Sequence, residues 1–196
     1  MTKQFILASS SPYRATLLKT ILPNFDCISP NINESKQENE SPTQMVERLA
    51  VEKAKAIQHQ TNTDNTLIIA SDQCALFNDE ILGKPHTIQN AEAQLAMFSG
   101  QKVTFLTSLC LLDTQSNKHQ VIVEPFYVYF RTLSHVEIKS YVAKEMPLNC
   151  AGSFKSEGLG ITLFEKLEGD DPNSLIGLPL IQINKMLRSI GINVLT

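Results

Sequence analysis

The first twenty residues constrain the fold most, because an apolar strand leads into a helix with almost no linker between them. Phe5 to Ala8 is an apolar run of the length of one buried strand. In the following Ser9-Ser10-Ser11-Pro12, Ser11 suits the N-cap and Pro12 the first position of a helix that runs to about Ile21. A strand that turns directly into a helix is typical of folds with helices packed on a sheet.

The rest of the chain mixes strands and helices around a β-rich middle. Strands are predicted at Phe25 to Ile28, Thr66 to Ala70, Val103 to Leu112 and Val121 to Arg131, with a turn at 81–85, and helices from Pro42 to about His59, from Thr87 to near Gly100, after Ser134 and from Leu180 to Ile190. In the last of these strands, Phe126, Val128 and Phe130 alternate with two tyrosines, which predicts one buried face. The order of elements predicts an α/β fold with mixed α+β character, in an arrangement compatible with two lobes.

Composition and charge exclude some classes of protein. The 196 residues are 42% hydrophobic and 19% charged, enough for one substantial core, and the net charge is −3. An acidic chain without a basic stripe is a poor candidate for holding long nucleic acid. A small anionic ligand stays possible, because a few focused lysines and arginines can bind phosphates.

Targeting and redox signals are weak. The apolar run within Met1 to Ser9 is too short for a signal peptide, and no run reaches transmembrane length. The four cysteines form no Cys-x-x-Cys pair, which disfavours a zinc site, and disulfides are mainly associated with exported proteins. We therefore expect a cytoplasmic protein with reduced thiols and no membrane partner.

Two segments suit phosphate binding or catalysis. Ser9, Ser11 and Arg14 lie where a strand enters a helix, so free N–H groups, the helix dipole and a guanidinium can face an anion; a plain cap with a solvated arginine is the alternative. Asp72, at the predicted end of the strand 66–70, can activate water or hold a divalent cation, or it can cap a turn.

Three further segments carry charges or glycines. Gly83-Lys84-Pro85 can aim an ammonium at a phosphate, although an exposed turn is the commoner meaning. Lys53, in the step Glu52-Lys53-Ala54, can serve a metal–phosphate site together with Glu34, or it can lie on a solvated helix face. In 152–160, three glycines permit close backbone approach and Glu157 can accept from the N1–H and N2–H₂ edge of a guanine; a hairpin turn is the alternative.

Taken together, these segments resemble the Maf family of nucleotide pyrophosphatases over nearly the whole chain. The family's Ser-x-Ser-x-x-Arg pattern matches Ser9, Ser11 and Arg14, and its Glu-Lys-Ala step, its strand-end Asp and its Gly-Lys-Pro match 52–54, Asp72 and 83–85. The chain departs from the family at Ala15, where a second Arg is frequent, and at Asn33-Glu34, where Asp-Glu is frequent.

Within the family, the chain resembles the branch that acts on 7-methyl-GTP. That branch has Ser-Asp-Gln and Gly-Ser-Phe-Lys-Ser-Glu-Gly, which match 71–73 and 152–158, whereas the dTTP and UTP branch has Ala-Asp-Thr and a Gln-Gly pair. The specificity positions of the branch fall on Tyr13, Gln73 and Glu157. An N7-methylated guanine is cationic, so an aromatic ring and a carboxylate both attract it.

The resemblance implies a two-lobed, inosine-triphosphatase-like fold in one domain (residues 1–196), with a central mixed sheet and a cleft between the lobes. It implies release of pyrophosphate from a nucleoside triphosphate, with Asp72 as proton acceptor and Mg²⁺ or Mn²⁺ held by Glu34 and Asp72. The phosphates are expected to contact Ser9, Ser11, Arg14, Lys53 and Lys84, and the protein is expected to be a homodimer. The alternatives are a dTTP or UTP pyrophosphatase and a non-catalytic nucleotide-binding regulator of cell division.

Overall fold

A computed structural model describes residues 3–61 and 63–196, so residues 1 and 2 of the N-terminal run fall outside the described part. In chain order the elements are β1 (Gln4–Leu7), α1 (Pro12–Lys19), β2 (Asp26–Cys27), α2 (Pro42–Thr61), β3 (Thr66–Phe77), β4 (Glu80–Leu82), α3 (Ile88–Phe98), β5 (Lys102–Asp113), β6 (Lys118–Phe130), α4 (His135–Glu145), β7 (Phe164–Glu168), α5 (Pro172–Ile176) and α6 (Leu180–Ser189). Two 3₁₀ turns, Ala151–Ser153 and Leu159–Leu163, lie between α4 and β7.

The strands in the described residues form a mixed sheet of seven strands. Its order is β2-β1-β3-β5-β6-β7, with β4 paired to β3. Strand β1 is parallel to both of its neighbours, and its last residue, Leu7, is opposite Cys27 on one side and Ile69 on the other. Strand β4 returns antiparallel to β3, and β7 is antiparallel to β6. The predicted α/β class with a mixed sheet is confirmed.

Contacts divide the chain into two compact units. Unit 1 comprises residues 1–72, 107–124 and 177–196, and unit 2 comprises residues 73–106 and 125–176. In unit 1, alternate residues of β1 and β3 belong to two different buried clusters: Leu7 and Ile69 pack in the cluster that includes α6, and Ile6 and Ile68 pack in the cluster that includes α2. Burial on both faces explains why these strands are continuously apolar in sequence.

Unit 2 has one core, rich in phenylalanine. Phe105, Phe130, Phe154 and Phe164 form four edge-on ring pairs with centroids 4.9 to 5.6 Å apart. On β6, Phe126, Val128 and Phe130 are buried and the two tyrosines between them are partly exposed. The predicted alternation is confirmed.

Side-chain caps start the helices where the sequence predicts them. Ser41 and Gln44 bond reciprocally at the start of α2, and Ser134 and Glu137 do so at α4. The Thr87 hydroxyl accepts from the Asn90 N–H at the start of α3. These bonds satisfy N–H groups that have no partner within the first turn of a helix.

The prediction that a strand ends at Ala70 is wrong. Strand β3 continues to Phe77, and Asp72 therefore lies within it rather than after it. The polar Ser71-Asp72-Gln73 resembles a turn in sequence, but buried partners satisfy its polar groups and the strand is not interrupted. Strand β4, predicted as part of a turn, was missed, as were β7 and α5; all three are five residues or shorter.

Within the described residues, none of the helices combines the length and the apolar character that crossing a bilayer requires. All four cysteines carry free thiols, and Cys74 and Cys110 are buried.

Candidate active site

Unit 1 contains a cluster of three charged side chains, in which a buried lysine lies between two carboxylates. The Lys53 ammonium lies 2.6 Å from Asp72 Oδ1 and 2.9 Å from Glu34 Oε1. Lys53 is 5% exposed and Asp72 is 7% exposed, whereas the Glu34 side chain is 58% exposed. Buried charges are tolerated in proteins when they are paired, and here one cation is paired with two anions.

The position of Asp72 follows from the sheet. Strand β1 ends at Leu7, opposite Ile69, so β3 extends beyond its parallel neighbour before it reaches Asp72. Beyond the end of β1, the Ser71 carbonyl of β3 accepts from Arg14 Nη1 and the Ser71 hydroxyl donates to the Gly177 carbonyl, instead of pairing with a strand. The expectation that Asp72 follows the end of its own strand is wrong, since Asp72 lies within β3.

Lys53 lies on the buried face of α2. The buried positions of this helix repeat at intervals of three and four residues, which is the spacing of one helix face: Met45, Val46, Leu49, Ala50, Lys53, Ala54 and Ile57. Lys53 thus occupies a position that an apolar residue would normally take. Its alternative interpretation as part of a solvated face is wrong, and its apolar stem suits the position while the ammonium reaches Asp72.

The serines of the first turn make local bonds. The buried Ser9 hydroxyl accepts from the Ser11 N–H at 3.1 Å, and the Ser11 hydroxyl accepts from the Arg14 N–H at 3.4 Å as the N-cap of α1. The cap predicted at Ser11 is confirmed. Contacts of either serine with a phosphate stay a prediction.

Arg14 ties three segments of unit 1 together. Its Nε donates to the Gly177 carbonyl at 2.8 Å and its Nη1 to the Ser71 carbonyl at 2.9 Å, and neither bond uses Nη2. Burial lowers the pKa of Arg14, while the charges of Asp72 and Glu34 act to raise it. The alternative of a solvated arginine is therefore wrong, and the guanidinium lies within the field of both carboxylates.

Sequence reasoning missed Ser108, and it named Ser71 only as part of the motif 71–73, without a role of its own. The Ser71 hydroxyl donates to the Gly177 carbonyl at 2.8 Å, so this carbonyl accepts from both Ser71 and Arg14. The buried Ser108 hydroxyl accepts from the Asp72 N–H at 3.0 Å and lies 2.6 Å from the Val46 carbonyl, its closest acceptor. Ser108 thereby joins the backbone of Asp72 to α2. In sequence it is one serine in a β run, without a signal.

Tyr13 and Gln73 are held in different ways. Tyr13 is the second residue of α1 and is 38% exposed. In unit 2, the Gln73 Nε2 donates to the carbonyls of Ser174 and Leu175 at 2.8 and 3.1 Å. These two bonds orient the amide group, and they involve α5, an element that the sequence did not reveal.

Lys84 and Glu157 are both exposed residues of unit 2. Burial raises the pKa of the Cys150 thiol; the charges of Lys155 and Lys84 act to lower it, and those of Glu157 and Glu145 act to raise it. The charges of Lys84 and Glu157 thus both act on the thiol of Cys150. The His86 N–H, two residues after Lys84, donates to the Leu148 carbonyl at 3.0 Å.

The glycines of 152–160 allow other residues of unit 2 to approach the backbone closely. A Cβ on Gly160 would lie 2.2 Å from the Lys155 carbonyl oxygen, and one on Gly158 would lie 2.9 Å from Glu145 Oε1. Gly152 has φ +73 and packs against Phe105. The hairpin interpretation of this segment is wrong, because it contains two 3₁₀ turns, and close packing within unit 2 accounts for its glycines.

The fold matches that of an α/β protein whose structure has been solved. The structure of a HAM1 protein from Coxiella burnetii superposes on 96% of this chain and 100% of that chain, with a TM-score of 0.50 and 15% sequence identity. At this identity the match concerns the fold alone.

The chain belongs to the Maf family: the family model for "Maf-like protein" matches residues 4–190. A relative from Colwellia psychrerythraea, named 7-methyl-GTP pyrophosphatase, is 54% identical over 98% of this chain and 96% of its own length. A relative of the same name from Pseudoalteromonas translucida is 53% identical over 100% of this chain and 96% of its own length.

We expect Gly177→Ala to lower the free energy of unfolding by about 1 to 3 kcal/mol, because φ is +117 and the new Cβ would lie 3.2 Å from Arg14 Nε. Urea denaturation measures the change. Gly191→Ala is the matched control, since Gly191 also has a positive φ (+81) but open space around it. An equal loss in both variants would mean that the contact with Arg14 adds nothing.

Proposed function

We propose that this chain hydrolyses 7-methyl-GTP to 7-methyl-GMP and pyrophosphate. The observation that carries the proposal is the agreement of four relatives, 50 to 54% identical over nearly full length, all named 7-methyl-GTP pyrophosphatase. The buried carboxylate–lysine centre of unit 1 supports it, because hydrolysis of a phosphoanhydride needs a proton acceptor and concentrated positive charge.

In the proposed reaction, a water oxygen attacks the α-phosphorus and the bond from this phosphorus to the α–β bridging oxygen breaks. Pyrophosphate leaves with that oxygen, and Asp72 takes the proton of the attacking water. Because Lys53 bonds Oδ1 of Asp72, the second oxygen, Oδ2, is the one we assign to the water. Lys53 and Arg14 also reduce repulsion between the two carboxylates and an incoming triphosphate.

Among the described residues, no group of three or more His, Cys, Asp or Glu side chains is arranged to hold a metal ion. Asp72 and Glu34 are nevertheless close to each other, because each has an oxygen within 2.6 and 2.9 Å, respectively, of the Lys53 ammonium. Mg²⁺ is commonly bound by one or two carboxylates together with substrate phosphates. We propose that Asp72 and Glu34 hold Mg²⁺ or Mn²⁺. A cation held there would supply positive charge next to the phosphoryl oxygens.

We assign the phosphates to Ser9, Ser11, Arg14, Lys53 and Lys84. For the base, we propose that the half-exposed ring of Tyr13 stacks on the cationic N7-methylguanine. Glu157 accepts from the Watson–Crick edge of the base, and Gln73, oriented by its bonds to α5, contributes to recognition. Action in the cytoplasm as a homodimer belongs to the same proposal.

The experiment that tests the proposal measures pyrophosphate release from 7-methyl-GTP, GTP, UTP and dTTP with Mg²⁺ or Mn²⁺. We expect the highest kcat/KM for 7-methyl-GTP. Preference for UTP and dTTP would assign the chain to pyrimidine nucleotides instead. Binding of nucleotide without release of pyrophosphate would support a regulator without catalytic activity.

We expect Asp72→Asn to lower kcat by a factor of at least about 10² to 10⁴, because a positioned base contributes that much and Asn cannot accept the proton. Circular dichroism and urea denaturation confirm that the variant is folded. Asp113→Asn is a matched control, since Asp113 also pairs with a lysine at 2.6 Å but lies at the far end of β5. Near-normal turnover of Asp72→Asn would remove Asp72 from its catalytic role.

We expect Glu157→Ala to reduce the preference for 7-methyl-GTP over GTP by about tenfold or more, because its carboxylate attracts the positive charge of the N7-methylated base by about 1 to 4 kcal/mol, an attraction that neutral guanine lacks. The measurement is the ratio of the two kcat/KM values. Glu165→Ala, another exposed glutamate of unit 2, provides the control. Equal losses on both substrates would show that Glu157 does not distinguish the methylated base and would favour a role in structure or in metal binding.

A further inference from the structure

Glu34 lies in a segment that has no regular structure of its own. Residues 31–40 contain no helix or strand, and most of them are exposed. A carboxylate on such a segment has many accessible positions unless other residues restrict them, and ordering each residue costs about 1 to 2 kcal/mol of backbone entropy. The bond to Lys53 is one restraint on Glu34. The structure shows a second restraint, which comes from the same helix.

The second restraint is Arg48, about one and a half turns before Lys53 on α2. Its guanidinium binds the Glu40 carboxylate with two bonds, Nε to Oε1 at 2.5 Å and Nη2 to Oε2 at 2.8 Å. Nη2 also donates to the Ser35 carbonyl at 3.2 Å, directly after Glu34. Arg48 therefore holds the segment both next to Glu34 and at its far end.

The pairing is favourable in geometry and in charge. The Arg48 and Glu40 side chains are 17% and 8% exposed, far less than most of the residues around them. The Glu40 carboxylate also accepts from the Gln37 N–H at 2.9 Å, which closes a turn inside the segment. The hydrogen bond from Arg48 lowers the pKa of Glu40 to about 2, so the carboxylate stays ionised well below the pH at which an ordinary glutamate takes up a proton. Bidentate arginine–carboxylate pairs fix orientation as well as distance.

We propose that the Arg48–Glu40 pair is a positioning device for Glu34: it holds segment 31–40 against α2 so that the Glu34 carboxylate meets Lys53 beside Asp72. The inference rests on the proposed function, since it gives Glu34 a task in hydrolysis. Arg48 and Glu40 act through Glu34, without contact with the substrate. Small misplacement of a reacting group can cost a factor of about 10² in rate, so the restraint has a measurable consequence.

The test is a double-mutant cycle between Glu40→Gln and Glu34→Gln, read as kcat/KM for 7-methyl-GTP. The amide side chain introduced by Glu40→Gln keeps the size of glutamate but loses the charge that binds the guanidinium fork. We expect Glu40→Gln alone to lower kcat/KM by about tenfold. In the Glu34→Gln background we expect the same substitution to change it by less than about twofold, because interacting sites are not additive.

A second measurement does not depend on activity. Amide hydrogen exchange of residues 33–40 should become faster in Glu40→Gln, because local opening costs less once the restraint is lost. Arg48→Lys should give the same result, since lysine keeps the charge but cannot bind a carboxylate with a planar fork. Glu52→Gln is the matched control: it removes the other carboxylate partner of Arg48, at 3.1 Å, without touching the segment.

Three results would overturn the inference. Equal losses from Glu40→Gln in both backgrounds would mean that the pair acts independently of Glu34. Unchanged kcat/KM in Glu40→Gln would mean that the position of the segment does not matter. Full activity of Glu34→Gln would leave nothing to position, yet the wild-type protein would still hydrolyse 7-methyl-GTP in that assay, so the proposed function would stand.

Discussion

The described site depends on the ion pairs that the Lys53 ammonium makes with Asp72 and Glu34. A charged group inside a protein is stable only with partners, and Lys53 has one from β3 and one from the segment before α2. Without this cation, Asp72 would be a buried carboxylate near a second negative charge. Because Lys53 is present, Asp72 can lie in a strand rather than in a loop, and the rigid backbone of the strand can orient its side chain.

Hydrogen bonds between side chains and the backbone hold the elements around the Lys53 ammonium in place. Ser108 joins the backbone of Asp72 to α2, Arg14 joins α1 to β3, and Ser71 shares an acceptor with Arg14 at Gly177. Each of these polar groups is paired within unit 1, which keeps polar atoms inside a largely apolar interior without a large penalty. These bonds hold the charged side chains in fixed positions within the apolar core of unit 1.

Most elements of the fold were predictable from sequence because each depends on local chemistry. The capping residues Ser11, Thr87 and Ser134 start three helices where expected, and alternation along β6 identifies its buried face. The errors lie where tertiary contacts override local signals. Asp72 lies inside a strand because buried partners satisfy a tripeptide that resembles a turn, and β4, β7 and α5 are too short to have a periodic signature.

The sequence by itself determined the residue types of the site and their order, because five spaced motifs match one family across almost the whole chain. It also determined the fold class, since strand and helix periods depend on neighbouring residues. Only the tertiary structure decided that Lys53 is buried, that Arg14 holds backbone carbonyls and that Arg48 binds Glu40. The reason is physical: burial and ion pairing depend on residues distant in sequence, and periodicity contains no information about which of them meet.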